Sequence, residues 1–422
     1  MSRPRLCAAA LCAALLSLPT PARAGLLTLA SFNGPNGRSP TAPVVMDDSG
    51  NLYGTTSGGG SAGEGTVFKL SPNGTLTTLV NFDGDSFPDG ASPYSGLIRD
   101  RSGNLYGATW GGGYPFQAGY GTIFKISPNG TLTYLFNNFN GFTNGAHPSH
   151  YGTGLVMDGG GNFYGTTEQG GASGTGTVFE LSPNGTLTTL ASLGGNSFGG
   201  LLRDSSGNLY GTTHGGGSAG DGTVFKLSPD GTLTTLNNFP NSSDGAFPEA
   251  GLIMDGAGNL YGTTNGGGAF GLGTVFKLSP NGTFTTLHSF NGADGENPIG
   301  GLLMDGSGNL YGTTTQGFFG SWGTVFELSP GGTLTTLHSF NGGGDGALPD
   351  AGLIADGQGN LYGTTSSGGP GGYGTVFELT GVLPPSNPAV PEPATLLLLG
   401  QGAAALLGLA WCHRRKRLAP AG

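Results

Sequence analysis

Four carboxylates recur at similar points of this 422-residue chain, each followed by glycine in a segment between two β-rich units: Asp89, Asp244, Asp294 and Asp345. Carboxylate oxygens are preferred ligands of Ca²⁺, although a calcium loop needs several oxygens at alternating positions. Asp-Gly pairs are also common in tight turns. The pattern leaves open a ring of carboxylates that binds a cation such as Ca²⁺ and a set of plain turns.

Aromatic residues interrupt segments that are otherwise rich in Ser, Ala and Gly. They are Trp110, Tyr114, Phe116, Tyr120, Phe318, Phe319, Trp322 and Tyr373. Exposed rings of this kind anchor ligands or partners through their apolar faces. The alternative is that the rings plug a central channel or cover neighbouring units. We expect six of them to bind a sugar or a partner protein: Trp110, Tyr114, Tyr120, Phe318, Trp322 and Tyr373.

Two other groups of polar residues are better explained by structural roles than by catalysis or metal binding. Seven Asp-x-x-Gly-Asn turns begin at Asp47, Asp100, Asp158, Asp204, Asp255, Asp305 and Asp356, where a side-chain cap of the turn is expected. His147 and His150 share one segment, but a zinc site needs further fixed ligands. No catalytic set can be placed by spacing alone, so no catalytic residue is predicted.

The elements that must position these residues repeat seven times. The phrase Asn-Leu-Tyr-Gly-Thr-Thr, with small changes, begins at Asn51, Asn104, Asn162, Asn208, Asn259, Asn309 and Asn360. Each unit contains four short runs rich in β-formers, which in the fifth unit are residues 251–255, 259–264, 274–278 and 283–290. Turns with Pro, Asn and Gly join them, as in β-hairpins.

The two ends of the array favour a closed ring. The last unit stops after its third run, residues 375–379, and the missing fourth run stands at the other terminus as residues 26–32. An N-terminal strand that completes the last unit closes a seven-bladed β-propeller, whereas an open solenoid would need caps. We therefore predict an all-β fold over residues 25–380, with four strands in each blade.

Composition agrees with this fold class. The chain has 88 Gly and 27 Pro, which oppose helices, yet 36% of its residues are hydrophobic, enough to build a core. Glycine does not occur at every third position, so a collagen helix is excluded. Between the two ends stand 8 basic and 24 acidic residues, a net charge of −16 that repels nucleic acid.

Both termini carry features of export. Residues 1–24 combine Arg3 and Arg5, an apolar stretch and Ala22-Arg23-Ala24, as in a cleaved signal peptide. After a Pro-rich linker, residues 381–393, the uncharged residues 394–412 form a candidate membrane-spanning helix. The basic tail, residues 413–422, is expected to stay in the cytoplasm and the body outside.

The C-terminal segment resembles the PEP-CTERM sorting signal. Its three parts are a Pro-Glu-Pro motif, an apolar helix and a basic tail, carried by Pro391, Glu392, Pro393, Arg414, Arg415, Lys416 and Arg417. The resemblance implies a Gram-negative bacterium, transient insertion in the inner membrane and processing by an exosortase. The body would then reach the cell surface or the medium.

The repeat itself, with its Gly-Thr-Val-Phe strand and Pro-containing turn, resembles the GloVer tandem repeat, which implies no known activity. We predict a non-enzymatic component of the extracellular polysaccharide matrix that binds polysaccharide or a surface protein. The alternative is a polysaccharide hydrolase or lyase on the same scaffold. An asymmetric acid–base cluster in the central pocket would favour the enzyme.

Overall fold

The structure, a computed structural model, describes residues 25–84, 89–113, 119–148, 154–240, 242–317 and 321–383. Within them the chain forms seven antiparallel sheets of four strands, arranged as a seven-bladed β-propeller. The predicted fold class is confirmed. The predicted signal peptide and the predicted membrane-spanning segment lie outside the described residues, as do the Pro-Glu-Pro motif and the basic tail. No helix of the described part is long and apolar enough to cross a membrane.

Blades are numbered here in chain order, and hydrogen bonding runs from the first to the fourth strand of each. The first strands are Val45–Met46, Ile98–Arg99, Val156–Met157, Leu202–Arg203, Ile253–Met254, Leu303–Met304 and Ile354–Ala355. The second strands are Leu52–Thr56, Leu105–Thr109, Phe163–Gln169, Leu209–Thr213, Leu260–Thr264, Leu310–Thr314 and Leu361–Thr365. The third strands are Thr66–Leu70, Thr122–Ile126, Thr177–Leu181, Thr223–Leu227, Thr274–Leu278, Thr324–Leu328 and Thr375–Thr380.

The fourth strands of blades 1 to 6 are Leu76–Asn81, Leu132–Phe136, Leu187–Ser192, Leu233–Asn238, Phe284–Ser289 and Leu334–Ser339. Gly25–Ser31 is the fourth strand of blade 7. Short additional pairings join Gly90–Ala91 to Gly111–Gly112, and Ala146–Pro148 to the second strand of blade 3.

The repeated sequence sets the register inside each blade. In blade 5, Gly262 pairs with Phe276, and a Cβ at Gly262 would lie 2.7 Å from the Phe276 ring. Glycine is therefore required for the phenylalanine to pack across the sheet. At the turn between third and fourth strands, Asn281 Oδ1 accepts a hydrogen bond from the Thr283 amide at 3.0 Å.

Neighbouring blades pack through a repeated pair of buried rings. Phe290, just after the fourth strand of blade 5, lies 5.3 Å from Phe326 in the third strand of blade 6, and both are fully buried. A pair of phenylalanines packs in the same way at five more interfaces. At the remaining interface, between blades 3 and 4, Leu193 replaces the first ring. Burial of each ring contributes roughly 1.5–3 kcal/mol.

The ring is closed by the N-terminal strand. Gly25–Ser31 pairs with Thr375–Thr380 in antiparallel register, and Phe32 packs 5.1 Å from Phe68 of blade 1. The interface between blades 7 and 1 thus repeats the other interfaces. An open array would leave Phe32 and the last blade without these contacts.

Two faces result from this topology. The hairpins between first and second and between third and fourth strands lie on one end, here called the turn face. The loops between second and third strands and the blade-to-blade connections lie on the other end, here called the crossing face. Sequence variation between units is concentrated in the crossing-face segments, which makes this face the candidate functional surface.

Candidate functional site at the crossing face

Six residues that directly precede proline hold the crossing face in a strained backbone conformation. Their φ angles are between 53° and 60°, and they are Ser39, Ser92, His147, Phe247, Asn297 and Leu348. Non-glycine residues in this region cost of order 1–3 kcal/mol, and proline disfavours it further. Such strain persists only where surrounding contacts over-determine the backbone.

Backbone hydrogen bonds supply those contacts. In blade 5, the Phe247 amide donates to the Asp221 carbonyl of blade 4 at 2.8 Å, and its carbonyl accepts from the Asn265 amide at 3.0 Å. Equivalent amide bonds link each of the other strained residues to the preceding blade. Each strained residue therefore fixes two blades together and sets the direction of the residues after its proline.

The residue after that proline forms a ring of variable side chains at the channel mouth, here called the mouth ring. Its described members are Thr41, Tyr94, Phe198, Glu249, Ile299 and Asp350, where Phe198 follows Ser197 in place of proline. The backbone at this point is held from the preceding blade. For example, the Thr212 hydroxyl donates to the Ala250 carbonyl at 3.0 Å, and the Thr364 hydroxyl donates to the Ala42 carbonyl at 3.2 Å.

An acid–imidazole pair stands in this ring. Glu249 is 8% exposed, and its Oε1 lies 3.2 Å from Nδ1 of His214. The side-chain amide of Asn265 donates to the same oxygen through Nδ2 at 3.0 Å. The His214 ring lies between Phe198 and Phe247, with centroids 5.0 Å from each. The contact with His214 lacks hydrogen-bond geometry, since His214 Nδ1 has no hydrogen-bond partner, so the Asn265 side chain supplies the hydrogen bond that holds Glu249 Oε1 beside the aromatic wall.

A second acid, Asp350, shares the electrostatic environment of Glu249. Burial and, to a smaller extent, the negative charge of Glu249 raise the pKa of Asp350 to about 6, against the lowering effect of the Ser366 hydroxyl. That hydroxyl also donates to the Leu348 carbonyl at 3.1 Å. One hydroxyl proton cannot serve both acceptors, so ionised Asp350 is incompletely hydrogen-bonded.

Trp110 takes part in a separate polar cluster between blades 2 and 3. Its ring stacks on His147 at 3.9 Å, and its Nε1 donates to Glu168 Oε2 at 3.0 Å. His147 Nδ1 is 2.8 Å from the Trp110 carbonyl. Trp110 is therefore packed against its neighbours and is not freely exposed. His150 lies outside the described residues.

Three other predicted aromatics occupy one equivalent position, two residues before the third strand: Tyr120, Trp322 and Tyr373. Trp322 is 48% exposed and Tyr373 is 42% exposed. Each ring lies near a glycine of the connection that follows its blade, and a Cβ at Gly342 would lie 2.7 Å from the Trp322 ring. All three rings cover blade connections, and those of Trp322 and Tyr373 are nevertheless about half exposed. Tyr114, Phe116, Phe318 and Phe319 lie outside the described residues.

Two grooves run beside Tyr373 on the crossing face. One has a volume of about 440 Å³ and the other about 390 Å³. Arg38 and Tyr373 line both grooves, and Tyr94 of the mouth ring lines the second. The second groove therefore connects Tyr373 with Tyr94 of the mouth ring.

The four predicted cation ligands occupy separate blades, each with its own local partner. Tyr134 donates to Asp89 at 2.9 Å, His288 contacts Asp294 at 2.9 Å, His338 contacts Asp345 at 3.2 Å, and Ser243 lies 3.5 Å from Asp244. Within the described part of the chain, no three His, Cys, Asp or Glu residues come together to hold a metal ion. Ca²⁺ binding by these four residues stays a prediction.

On the turn face, the repeated aspartates cap their turns as predicted. Asp255 Oδ1 accepts from the Ala257 and Asn259 amides at 2.9 Å, and Oδ2 accepts from Asn259 Nδ2 at 2.7 Å and the Tyr261 hydroxyl at 3.0 Å. Burial acts to raise the pKa of Asp255, but these hydrogen bonds outweigh it and leave the pKa below 3.8.

This geometry can be compared with known proteins. The model of the Gloeobacter/Verrucomicrobia repeat matches residues 19–199 and 151–377, so the chain belongs to this repeat family, of which propeller blades are the structural unit here. The PEP-CTERM protein-sorting motif matches residues 389–416. Export, a transient C-terminal anchor and processing by exosortase-type machinery follow from this motif. No curated protein matches the chain.

Solved structures share the fold. Virginiamycin B lyase from Staphylococcus aureus has 12% identity and a TM-score of 0.55, covering 85% of this chain and 99% of the lyase. The extracellular domain of a putative one-component system from B. thetaiotaomicron has 12% identity and a TM-score of 0.54, covering 85% of this chain and 40% of that one. At these identities the likeness shows the fold alone.

Sequence reasoning missed the polar side chains of the mouth ring and of the cluster around Trp110. Glu249, Asp350, Asn265, Ser366 and Glu168 occupy only two repeat positions: the residue after the crossing proline, and the residue after Tyr-Gly-Thr-Thr. Alignment of the seven units at these positions shows unusual variety, which is the signal that would have identified them.

Proposed function

We propose that this protein is a surface-sorted propeller that binds extracellular polysaccharide through its crossing face. The observation that carries the proposal is the distribution of exposed rings. All the exposed large aromatic residues of the described part lie in crossing-face segments: Phe142, Phe247, Phe270, Trp322 and Tyr373. The exposed large aliphatic residues, Leu27 and Leu233, lie elsewhere, in the fourth strands of blades 7 and 4.

Ring faces directed at solvent suit sugars because one face of a pyranose ring is apolar. Trp322 and Tyr373 belong to adjacent blades, and the grooves beside Tyr373 offer backbone and Arg38 as polar partners. Each stacked ring would contribute roughly 0.5–1.5 kcal/mol to binding. Several such contacts along one face would hold a polymer with useful affinity through multivalency.

The test uses the protein recovered from the surface of producing cells and the exopolysaccharide of the same cells. We expect retention of the protein on immobilised polysaccharide, and weaker retention of the Trp322→Ala/Tyr373→Ala variant at unchanged melting temperature. Leu233→Ala is the matched control, because it removes an exposed apolar side chain from the outside of a blade. Equal retention of both variants would contradict the proposal.

A polysaccharide hydrolase or lyase is the second candidate function, and the acids of the mouth ring favour it. Glu249 is held by Asn265 and lies beside His214, whereas the pKa of Asp350 is raised to about 6 by burial. An acid with a raised pKa can donate a proton in catalysis, and a second carboxylate in the same pocket can accept one. Light scattering of the incubated polysaccharide distinguishes the candidates, because an enzyme shortens the chains and a binding protein retains them at full length.

A further inference from the structure

Charge is distributed unequally between the two faces. The described crossing-face segments hold eleven carboxylates and one basic residue, Arg38. The turn-face hairpins and the strands that lead to them hold twelve carboxylates and the other seven basic residues. The field of the crossing face therefore attracts cationic ligands and disfavours anionic ones. Negative charge by itself does not define a site, whereas the mouth ring places two carboxylates at fixed positions on this face.

Two carboxylates of the mouth ring lack a strong cationic partner. Among the described residues, the ion-pair partner of Glu249 is His214, and no lysine or arginine pairs with Glu249 or Asp350. Lysine and arginine are instead placed near the turn face, with Arg38 as the exception. An ionised acid surrounded by protein is costly unless a charge or hydrogen bonds compensate for it.

Asp350 also has little hydrogen-bond compensation for its charge. Its hydroxyl neighbour, Ser366, already donates to the Leu348 carbonyl at 3.1 Å. In blade 6 the equivalent Thr315 makes the same bond, to the Asn297 carbonyl at 3.1 Å, without an acid beside it. The bond to the strained residue is thus a feature of the fold, and Asp350 is an added acceptor that competes with the Leu348 carbonyl for the single hydroxyl proton of Ser366.

A buried hydroxyl at the equivalent ring position also lacks a partner. Thr41 is 8% exposed, and its Oγ1 makes no hydrogen bond. Thr41 and Asp350 each precede a residue whose carbonyl is held by a threonine of the preceding blade, so their side chains leave the backbone in equivalent directions. Because blades 7 and 1 are neighbours, the unused hydroxyl of Thr41 and the carboxylate of Asp350 occupy adjacent positions of the mouth ring.

The aromatic wall completes the site. Phe198 and Phe247 flank His214 beside Glu249, and Phe247 is 37% exposed. Ring faces near carboxylates favour a compact cation through cation–π attraction. We propose that the channel mouth binds a primary ammonium group, supplied by a deacetylated amino sugar of the polysaccharide. The inference rests on the proposed function, whose substrate class it specifies.

A sugar ammonium fits each observation. It supplies one positive charge and three hydrogen-bond donors to a site with two carboxylates and a free hydroxyl acceptor. Its pyranose ring can extend toward Tyr94, which lines both the mouth ring and the groove that leads to Tyr373. An N-acetylated sugar lacks the charge, and an acidic sugar is repelled by the same carboxylates.

Calorimetry at pH 7 and low salt tests the proposal with three probes: glucosamine oligomers, N-acetylglucosamine oligomers of equal length and oligolysine. We expect glucosamine oligomers to bind about tenfold more tightly than the acetylated ones, in line with charge-assisted hydrogen bonding. Glu249→Gln/Asp350→Asn should remove this preference. Asp221→Asn/Glu296→Gln is the matched control, since it removes two charges from the same face outside the mouth ring.

Each outcome decides one of the two proposals. If both double variants lose the preference equally, general charge explains it and the site is refuted. Oligolysine binding as tightly as the sugar refutes the assignment to an amino sugar. Equal binding of both sugar oligomers preserves polysaccharide binding but refutes ammonium recognition. If neither the oligomers nor the native polysaccharide binds, the proposed function itself fails.

Discussion

His214 Nδ1 lies 3.2 Å from Glu249 Oε1 at the channel mouth, although the two residues belong to consecutive repeat units. His214 follows the second strand of blade 4, and Glu249 lies in the connection that enters blade 5. Each departs from the residues that the other units place there. The pair therefore arises from two local exceptions in a repetitive sequence that the fold brings into contact.

Asp350→Asn should stabilise the protein near neutral pH. The folded pKa of Asp350, about 6, lies above its ordinary value of 3.8, so the free energy of unfolding falls as pH rises through this window and stays lower above it. The variant should gain as much as about 3 kcal/mol at pH 8 and nothing below pH 4. Chemical denaturation across pH checks this, with exposed Asp48→Asn as the control. An equal effect at both pH values would contradict the raised pKa.

Removal of residues 26–32 should destabilise the ring and cause aggregation. The deletion exposes the edge of Thr375–Thr380 and removes the contact of Phe32 with Phe68. Among point variants, Phe32→Ala should lower the free energy of unfolding by about 3–5 kcal/mol. Leu27→Ala, at a half-exposed position of the strand that precedes Phe32, should lower it by less than about 1 kcal/mol. Thermal melts measure both. Similar melting temperatures for the deletion and the intact protein would refute closure by this strand.

Trp110→Ala and Trp322→Ala should separate stability from binding. Trp110 loses its stack on His147 and its bond to Glu168, at a cost of about 2 kcal/mol. Trp322 is half-exposed, so its removal should cost less than about 1 kcal/mol and should weaken polysaccharide retention. Denaturation curves and retention assays on each single variant measure these effects. A large loss of stability in Trp322→Ala would identify that ring as a structural cover.

Turn-face aspartates should support stability in a pH-dependent way. Asp255→Ala removes four hydrogen bonds to one carboxylate and should cost about 1.5–3 kcal/mol at pH 7. Because the folded pKa lies below 3.8, this contribution is complete above the unfolded pKa and is lost as pH falls through the folded one. The cost should therefore shrink at pH 2 to 3 in denaturant titrations. Tyr261→Phe, which removes one of the four bonds, should cost about 1 kcal/mol.

Processing at both ends should be visible in mature protein from the cell surface. We expect intact-mass spectrometry to show that residues 1–24 and the segment after Pro393 are absent. The sorting motif matched at residues 389–416 is the basis of this expectation. Detection of Arg414, Arg415, Lys416 and Arg417 in surface material would instead identify the apolar segment as a permanent anchor.

The sequence by itself determined the blade and the order of blades. Strand propensity, the Gly262 and Phe276 register and the Pro-Asn-Gly turns act over a few residues, so each can be inferred from a single repeat. The displaced N-terminal run also predicted closure, because only a ring gives it a partner. These features depend on residues that are close together in the chain, so the repeated sequence pattern is enough to predict them.

Only the tertiary structure decided which exceptions to the repeat meet. Asp350 and Glu249 belong to different blades, and the effect of the Glu249 charge on the pKa of Asp350 depends on the closed ring that faces both toward one channel. Likewise, Trp110 proved packed and Trp322 half-exposed, although both are tryptophans in second-to-third loops. Contact across blades depends on the radial arrangement of seven sheets and on the strained residues that direct each side chain, and neither is encoded in the spacing of residues along one unit.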